Sequence, residues 1–258
     1  MDYKDILVSA ADSIGSITLN SPDTANALSR NMISEIISAL KAFKNEPLLK
    51  VIIIKANGRH FCSGHDLREM IDGSVTDYKF IFDQCAKMML LIHEVPQIVI
   101  AQIHGVATAA GCQLAAQCDL AVAADSSRFG TPGVKIGLFC STPMVALSRS
   151  IGRKHALEML LTGGLISATE AERFGLVNHI VPEADLEKAT QDLAEAIAKS
   201  SPLTLAIGKK AFYTQIDIPE DKAYDHAVEV MTMNLMTEDA QNGIKAFLEK
   251  KTPVWKGR

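Results

Sequence analysis

Aromatic residues and net charge are both scarce in this chain. Of its 258 residues, 5% are aromatic and 22% are charged, and the formal net charge is -4. A protein that binds single-stranded nucleic acid commonly combines a basic groove with aromatic rings on which the bases stack. This sequence offers neither a global basic field nor many such rings, so we expect no nucleic-acid partner.

Long hydrophobic runs and paired cysteines are missing as well. No apolar run approaches the roughly twenty residues of a membrane-spanning helix, so we expect no membrane partner. The cysteines are odd in number and irregular in spacing, without any C-x-x-C pair, so we expect no zinc ribbon, no redox motif and no metal site. They are Cys62, Cys85, Cys112, Cys118 and Cys140.

The thiols and the first residues indicate the compartment. Free thiols favour a reducing environment. Residues 1–5 are polar and acidic, unlike a secretory signal and unlike an Arg-rich transit peptide. We therefore expect a cytoplasmic protein, with the mitochondrial matrix as the alternative if a transit peptide has been removed.

Hydrophobic periodicity predicts an α/β chain in which helices dominate the second half. Strands are predicted at 14–19, 51–55, 97–103, 119–124 and 176–181, and a loop at 129–133. Helices are predicted at 29–43, 78–93, 109–117, 142–151, 153–162, 167–173, 183–199, 202–214, 219–235 and 238–249. The best candidate boundary is 200–202, which separates a core at 1–200 from a C-terminal helical region at 201–258.

Two loops are candidates for chemistry. Residues 60–67 follow the buried strand 51–55, and Gly64 permits a sharp turn that exposes main-chain N–H groups beside His65. Residues 105–114 place small side chains at the start of a helix, whose electropositive end suits an oxyanion. The first loop is otherwise a plain strand-to-helix turn, and the second equally suits tight helix–strand packing.

The order and spacing of eight segments resemble the crotonase superfamily, which is the enoyl-CoA hydratase/isomerase fold. The segments are 23–28, 61–67, 105–114, 118–120, 129–132, 160–163, 168–177 and 247–251. Residues 131–134 and 137–143 are most similar to one branch of that superfamily. The resemblance implies a spiral of β-β-α units with a C-terminal helical trimerisation region, assembled as a homotrimer or hexamer. It also implies an acyl-CoA thioester as substrate, with no separate cofactor.

The resemblance assigns the catalytic positions residue by residue. The backbone N–H groups of His65 and Ala110 match an oxyanion hole that would stabilise a thioester enolate, and losing one such donor typically costs roughly 10²–10³ in rate. Gln113 and Gly133 match the two glutamates that position and activate water in the hydratases. Gln can orient a water but cannot act as a base, and Gly has no side chain. Each positioned acid or base is typically worth ~10²–10⁴.

The resemblance assigns only part of the family's coenzyme A contacts to residues of this chain. Ala25 and Leu28 match positions lining the CoA channel, and Ser63 matches a position near the adenine. Phe247 and Lys250 match positions that reach the CoA of a neighbouring subunit. The N-terminal loop lacks the basic residues often present there, because Ser21 and Asp23 take their places. Lysines at 245, 250, 251 and 256 are candidates to compensate, although 245 and 256 fit a solvated helix face.

Several groups are candidates to replace the missing glutamates. His65 has the ordinary pKa range for acid–base work, and Asp66 is expected to brace its loop. Cys112 and Cys140 are candidate nucleophiles, although a buried Cys most often serves packing. Residues that offer hydroxyl groups to hold a water are Thr108, Thr131 and Ser141. A gap at Gly133 would admit an exogenous anion such as bicarbonate.

Three functions remain open at this point. The first is an acyl-CoA enzyme, hydratase-like by resemblance, with isomerase chemistry less favoured. The second is an acyl-CoA-binding paralogue with weak or lost catalysis. The third is a scaffold without a CoA site.

Overall fold

The computed structural model describes residues 3–258, so Met1 and Asp2 of the polar start lie outside the described residues. Six strands form one sheet in the order β1-β2-β3-β4-β6-β9, and three short strands form a second in the order β5-β7-β8. The strands are β1 (Ile6–Ala11), β2 (Ile14–Leu19), β3 (Val51–Ala56), β4 (Ile98–Ile103), β5 (Val106–Thr108), β6 (Leu120–Ala124), β7 (Arg128–Gly130), β8 (Leu165–Ser167) and β9 (His179–Val181). Within the six-stranded sheet only the β1–β2 pair is antiparallel.

Ten helices are present within the described residues. They are α1 (Arg30–Lys44), α2 (Val75–Glu94), α3 (Ala110–Gln117), α4 (Ser141–Ser150), α5 (Arg153–Thr162), α6 (Ala168–Phe174), α7 (Leu186–Ala198), α8 (Pro202–Gln215), α9 (Glu220–Leu235) and α10 (Glu238–Leu248). None of these is long and apolar enough to cross a bilayer. The described residues also contain no cluster of His, Cys, Asp and Glu that could hold a metal ion.

The central strand β3 is buried on both faces, which is why its sequence is a continuous apolar run. Ile52 and Ile54 join the core formed with α1 and α2. Val51 and Ile53 instead pack with residues of α7. Because β3 is fixed on both faces, the loop that follows it starts from a rigid position.

The predicted elements are largely confirmed, with boundaries shifted by a few residues. α2 begins at Val75 rather than 78, because Ser74 and Asp77 form a capping box. The predicted strand 176–181 is paired only at His179–Val181. The predicted helix 183–199 begins at Leu186, after a single 3-10 turn at Glu183–Asp185.

The second sheet corrects the prediction of a loop at 129–133. Phe129 and Gly130 belong to β7, which pairs in parallel with β5 and antiparallel with β8. Each of these strands has three residues. Tertiary pairing rather than local periodicity creates them, and β5 and β7 bring residues 105–133 beside the loop after β3.

A buried ion pair ties the C-terminal helices to the sheet. Lys209 Nζ of α8 lies 2.7 Å from Asp119 Oδ2, with side chains 3% and 10% exposed. Tyr213 donates to the other carboxylate oxygen at 2.8 Å. Burial lowers the pKa of Lys209, and Asp119 opposes that lowering. The expected division at residue 200 stays a prediction, but strong contacts cross it.

Candidate active site

The first donor belongs to the loop after β3. Leu28 N donates to Gly64 O at 2.7 Å, and Asp66 N donates to Leu28 O at 3.4 Å. Leu28 and His65 therefore form an isolated parallel bridge. Because Leu28 bonds to the residues on either side of His65, the N–H of His65 points away from Leu28. The N–H of His65 has no hydrogen-bond partner within residues 3–258.

The second donor is the N–H of Ala110, the first residue of α3. The first N–H groups of a helix have no partner within the helix, and this one finds none elsewhere in the described chain. Ala109 precedes it as N-cap with φ 49° and ψ -119°, a conformation usually taken by glycine. Ala109 N donates to Gly130 O at 2.9 Å and anchors the turn. The positive end of the helix dipole therefore lies at Ala110, which is fully buried and has no protein acceptor for its N–H.

Direct contacts bring these two donor loops together. Thr108 N donates to Cys62 O at 2.9 Å, and Thr108 Oγ1 donates to Ser63 O at 3.1 Å. An ideal Cβ placed on Gly64 would lie only 3.3 Å from Ala110 N. The glycine at 64 therefore permits the close approach of the loop that carries His65 to the first residue of α3.

A cavity of about 600 Å³ is lined by His65 and by Ala109, whereas Ala110, the next residue, is fully buried and is not part of its wall. Its wall includes side chains from the first donor loop, from α2 and from the segment that leads into α4. Among them are His65, Phe82, Gly133, Leu138, Phe139 and Cys140. Phe82, Leu138 and Phe139 were not singled out from the sequence. The last two lie in the stretch that carries the branch resemblance, which was the available signal.

The ring of His65 lies in this cavity with its edge against Phe82, at a centroid distance of 5.5 Å and an interplanar angle of 86°. Its Nε2 is buried and has no partner among the described residues. Burial lowers the pKa of His65 from 6.5 to about 4. The expectation of an ordinary pKa for this imidazole is wrong, because burial disfavours its charged form. At neutral pH it is an uncharged ring with a free polar atom.

Asp66 braces the loop as expected. It accepts from Arg68 N at 3.0 Å and from Arg68 Nε at 2.9 Å. Hydrogen bonding to Arg68 lowers the pKa of this carboxyl. Its oxygens are therefore engaged on the protein rather than offered to a substrate.

The space beside Gly133 is filled. An ideal Cβ on Gly133 would lie 2.2 Å from Leu138 O and 2.7 Å from Cys140 Sγ. A side chain at this position would therefore meet a carbonyl oxygen and a sulfur atom, but Gly133 itself lines the cavity, so the admission of an exogenous anion beside it stays a prediction. The same contacts exclude any side chain at 133 unless the loop moves.

The thiol of Cys140 is the side-chain group nearest to the position of the missing acid. It is 8% exposed and lines the cavity. Burial raises its pKa, while a hydrogen bond from the backbone of Gly133 partly opposes that change. The group is therefore a neutral thiol rather than a nucleophilic thiolate. Cys112 is fully buried, and burial raises its pKa to about 12, which excludes it as a nucleophile.

The three candidate hydroxyl groups are placed differently from one another. Thr108 Oγ1 is already bonded to Ser63 O. Thr131 is fully buried with an unpartnered Oγ1, but it does not line the cavity. Ser141 lines the cavity and donates weakly to Phe139 O at 3.3 Å. Ser141 is therefore the hydroxyl available to hold a water there.

Gln113 is not brought to the wall of this cavity. It is 4% exposed, and its Oε1 has no partner among the described residues. It lines a second cavity of about 860 Å³ instead. The two positions that match catalytic glutamates thus face different surroundings in this chain.

Of the residues expected to contact CoA, Ser63 lines the cavity and Ala25 and Leu28 do not. Ser63 lines the cavity, as do Thr24 and Ala27, the neighbours of the expected residues. Leu28 is 1% exposed and packs in the core, so its side chain does not line the channel. Ala25 is likewise outside the cavity wall, and its carbonyl accepts from Ser63 N at 3.0 Å.

The two residues expected to reach a neighbouring subunit lie at the surface. Phe247 of α10 is 82% exposed. Lys250 follows the same helix, is exposed, and has φ 56°. Neither lines the cavity of its own chain.

Similarity to known proteins extends over nearly the whole chain. The family model described as enoyl-CoA hydratase/isomerase matches residues 9–258. The mouse protein named enoyl-CoA hydratase domain-containing protein 3, mitochondrial, is 47% identical over 95% of this chain and 82% of its own length. That protein represents the branch to which residues 131–134 and 137–143 are most similar, so the predicted branch is confirmed.

Two solved structures superpose closely. The crystal structure of the human protein of the same name has a TM-score of 0.95 at 46% identity, covering 98% of this chain and 100% of its own. An enoyl-CoA hydratase from Mycobacterium smegmatis has a TM-score of 0.96 at 41% identity, covering 98% and 99%. The predicted crotonase-like α/β spiral is therefore confirmed, and the chain belongs to the enoyl-CoA hydratase/isomerase family.

Proposed function

We propose that this chain binds an acyl-CoA thioester with its carbonyl oxygen between the N–H groups of His65 and Ala110. The proposal is supported by two main-chain N–H groups that have no hydrogen-bond partner among the described residues, one on His65, which lines the cavity, and one on Ala110, which follows the lining residue Ala109 and lies close to Gly64. An enolate oxygen formed at that place would receive two preorganised hydrogen bonds and the positive end of α3. The reaction class is hydration of an enoyl thioester or its reverse. The thioester is the substrate, and no separate cofactor is required.

The missing carboxylates limit the rate. A correctly positioned glutamate supplies acid–base chemistry worth roughly 10²–10⁴ in rate, and this chain has none at the two matching positions. The groups that line the cavity near Gly133 are a neutral thiol at Cys140 and the hydroxyl of Ser141. His65 is a weak base because burial keeps its pKa at about 4. We therefore expect slow hydration by water that these groups orient.

Proline at position 110 deletes the N–H donor of Ala110, although its ring also takes up space there and the conformation of Ala109 (φ 49°, ψ -119°) is not one that a following proline favours, so the fold of the variant is checked first. Proline is tolerated at the first position of a helix and has no N–H. We expect Ala110→Pro to lower crotonyl-CoA hydration by roughly 10²–10³, followed as loss of the conjugated thioester absorbance. Ala110→Ser keeps the N–H and is the matched control. Equal turnover by the two variants, both verified as folded by circular dichroism, contradicts the proposal.

A binding protein without turnover is the second candidate, and the filled space at Gly133 favours it. It predicts that butyryl-CoA binds in a calorimeter while crotonyl-CoA is not consumed. Efficient hydration by the wild-type chain excludes this candidate. Failure to bind any CoA ester excludes both candidates and favours a scaffold.

We also propose that the chain assembles as a homotrimer or as a hexamer of two trimers. Support comes from large apolar side chains on α9 and α10 that are more than 60% exposed in the single chain. They include Val228, Met231, Met233, Phe247 and Leu248. In the assembly, Phe247 and Lys250 are proposed to contact the CoA of a neighbouring subunit.

The compartment stays a proposal. The vertebrate relatives are named as mitochondrial proteins, which supports the mitochondrial matrix over the cytoplasm for this chain. Five buried free thiols fit either of these reducing compartments.

A further inference from the structure

A separate cavity of about 630 Å³ lies where α1 and α2 end and α8 begins. Its volume is within the range of small-molecule sites. Apolar side chains form part of its wall, among them Leu49, Pro96, Pro202, Leu203 and Trp255. It shares no lining residue with the cavity beside His65. Any ligand that it binds is therefore distinct from the thioester proposed above.

One wall of this cavity is the C-terminal segment, which hydrogen bonds fix to the rest of the chain. Trp255 Nε1 donates to Lys199 O at 2.6 Å. The main-chain N–H groups of Lys256 and Gly257 donate to the carboxylate of Asp239 at 2.7 and 3.0 Å. Asp239 is fully buried. The wall is therefore already in place before a ligand arrives.

Gln97 contributes a buried acceptor to the wall. The residue is 2% exposed, and its Nε2 donates to Phe43 O at 2.7 Å, which fixes how the amide group is turned. Its Oε1 has no partner among the described residues. A buried acceptor without a partner is unfavourable until something donates to it. A ligand that carries an N–H or O–H group is therefore favoured.

The lysines in the wall already have protein partners. Lys50 Nζ donates to two main-chain carbonyl groups at the end of α7, at 2.6 and 2.9 Å. Lys44 forms an ion pair with Glu94. Lys256 forms one with Glu238. These cations are therefore engaged by the protein itself and leave little attraction for an anion.

Two carboxylates in the wall differ from the lysines. Asp12 and Glu46 are exposed, and neither has an ion-pair partner among residues 3–258. The negative end of α1 lies beside them, since Glu46 follows Lys44, the last residue of that helix, by two positions. The helix α8 starts here with Pro202, which has no N–H to offer. Unpaired negative charge therefore dominates the polar part of the wall.

We propose that this cavity binds a small organic cation, an alkylamine or a guanidino compound. An N–H group of the ligand donates to Gln97 Oε1, and its positive charge lies beside Asp12 and Glu46. The aliphatic stem of the ligand packs against the apolar wall that includes Leu203 and Trp255. The inference does not depend on the proposed function, because it concerns a different cavity.

The test compares probes of equal chain length on the full protein: 1,5-diaminopentane, the neutral 1,5-pentanediol and the anion glutarate. Trp255 is the only tryptophan of the chain, so its fluorescence reports occupation of the cavity, and calorimetry gives the Kd. An exposed ion pair contributes at most about fivefold in Kd, and two carboxylates are available. We expect the diamine to bind with a millimolar Kd or better, about tenfold more tightly than the diol, and glutarate not to bind.

Variants then locate the cation. Glu46→Gln keeps the size of the side chain and is expected to weaken diamine binding by about twofold to fivefold, an effect that shrinks as salt is added. Adding Asp12→Asn is expected to weaken it again by a similar factor. Glu172→Gln is the matched control, since Glu172 lies on α6 outside the cavity. Gln97→Met deletes the buried acceptor and is expected to weaken the diamine and the diol alike.

The carboxylate variants lie at the surface, so the test does not depend on the fold of the Gln97→Met variant. Equal Kd values for the diamine and the diol, or unchanged diamine binding in the double carboxylate variant, overturn the inference. So does the absence of diamine binding at millimolar concentrations. Binding of a tetralysine peptide without binding of the diamine overturns it in favour of a basic protein segment. None of these results affects hydration of crotonyl-CoA, which tests the proposed function separately.

Discussion

The contact between Gly64 and the N terminus of α3 makes Gly64→Ala the most informative single change. Gly64 has φ +102°, and an added Cβ would lie 2.8 Å from Ala109 Cβ and 3.3 Å from Ala110 N. The substitution therefore combines an unfavourable backbone conformation with a steric clash between the two donor loops. Both effects act where the thioester oxygen is proposed to bind.

The magnitude has two parts. A positive φ in a residue other than glycine costs about 1–3 kcal/mol. Overpacking by one methyl group costs typically 1–3 kcal/mol more. We expect Gly64→Ala to lower the free energy of unfolding by roughly 2–6 kcal/mol, as measured by urea denaturation. We also expect butyryl-CoA binding to be lost, because relief of the clash separates the donors.

Two further variants separate these parts. Gly137→Ala adds a methyl group at φ +78° with no heavy atom within 4 Å, so it measures the backbone cost alone. Gly64→Ala combined with Ala109→Gly removes the closest contact and is expected to recover part of the stability. If Gly64→Ala costs no more than Gly137→Ala and binds butyryl-CoA normally, the two loops do not pack as described.

Three other predictions follow from buried groups. Gly133→Glu is expected to lower stability and to leave hydration of crotonyl-CoA unimproved, because a Cβ there meets Leu138 O at 2.2 Å. The imidazole of His65, with its pKa lowered to about 4 by burial, takes up a proton more readily in the unfolded chain. Stability therefore falls as the pH drops from 6.5 to 4, by about 3 kcal/mol at most, and an NMR titration of this ring should show no protonation above pH 5. Lys209→Met leaves Asp119 buried without its cation and is expected to cost about 3–5 kcal/mol in urea denaturation.

For each of these three predictions, a specific result would contradict the reasoning. Faster hydration by Gly133→Glu would falsify the description of a filled site. A midpoint near 6.5 in the His65 titration contradicts its burial. Lys188→Met is the control for Lys209→Met, because the Lys188–Asp192 pair is exposed and such pairs contribute about 1 kcal/mol or less. Equal effects of the two lysine substitutions contradict the assignment of a buried pair.

The elements that the sequence predicted well are those with strong local signals. The run Val51–Ala56 is apolar because both of its faces are buried, so it was recognisable without the fold. β1 was missed because four of its six residues are exposed, which leaves no alternation to detect. The capping box at Ser74 and Asp77 was a readable signal that was overlooked, and it accounts for the late predicted start of α2.

The candidate site was only partly predictable for a geometric reason. The resemblance pointed to the N–H of Ala110 and the side chain of Gln113 on one helix. A main-chain N–H points along the helix axis, whereas a side chain points across it. The two groups can therefore have different surroundings: Gln113 lines the cavity of about 860 Å³, whereas Ala110 follows Ala109, which lines the cavity of about 600 Å³. Likewise, Leu138 closes over Gly133 through its carbonyl oxygen, which no side-chain pattern encodes.

The ion pair between Lys209 and Asp119 has a consequence for synthesis on the ribosome. Tyr213, which donates to the same carboxylate, follows Asp119 by 94 residues. Until those residues emerge, the nascent sheet carries a carboxylate with neither its cation nor its phenol. We expect the early segments to stay protease-sensitive during translation and to close only when α8 arrives. The last helices therefore complete the folding of strands made long before them.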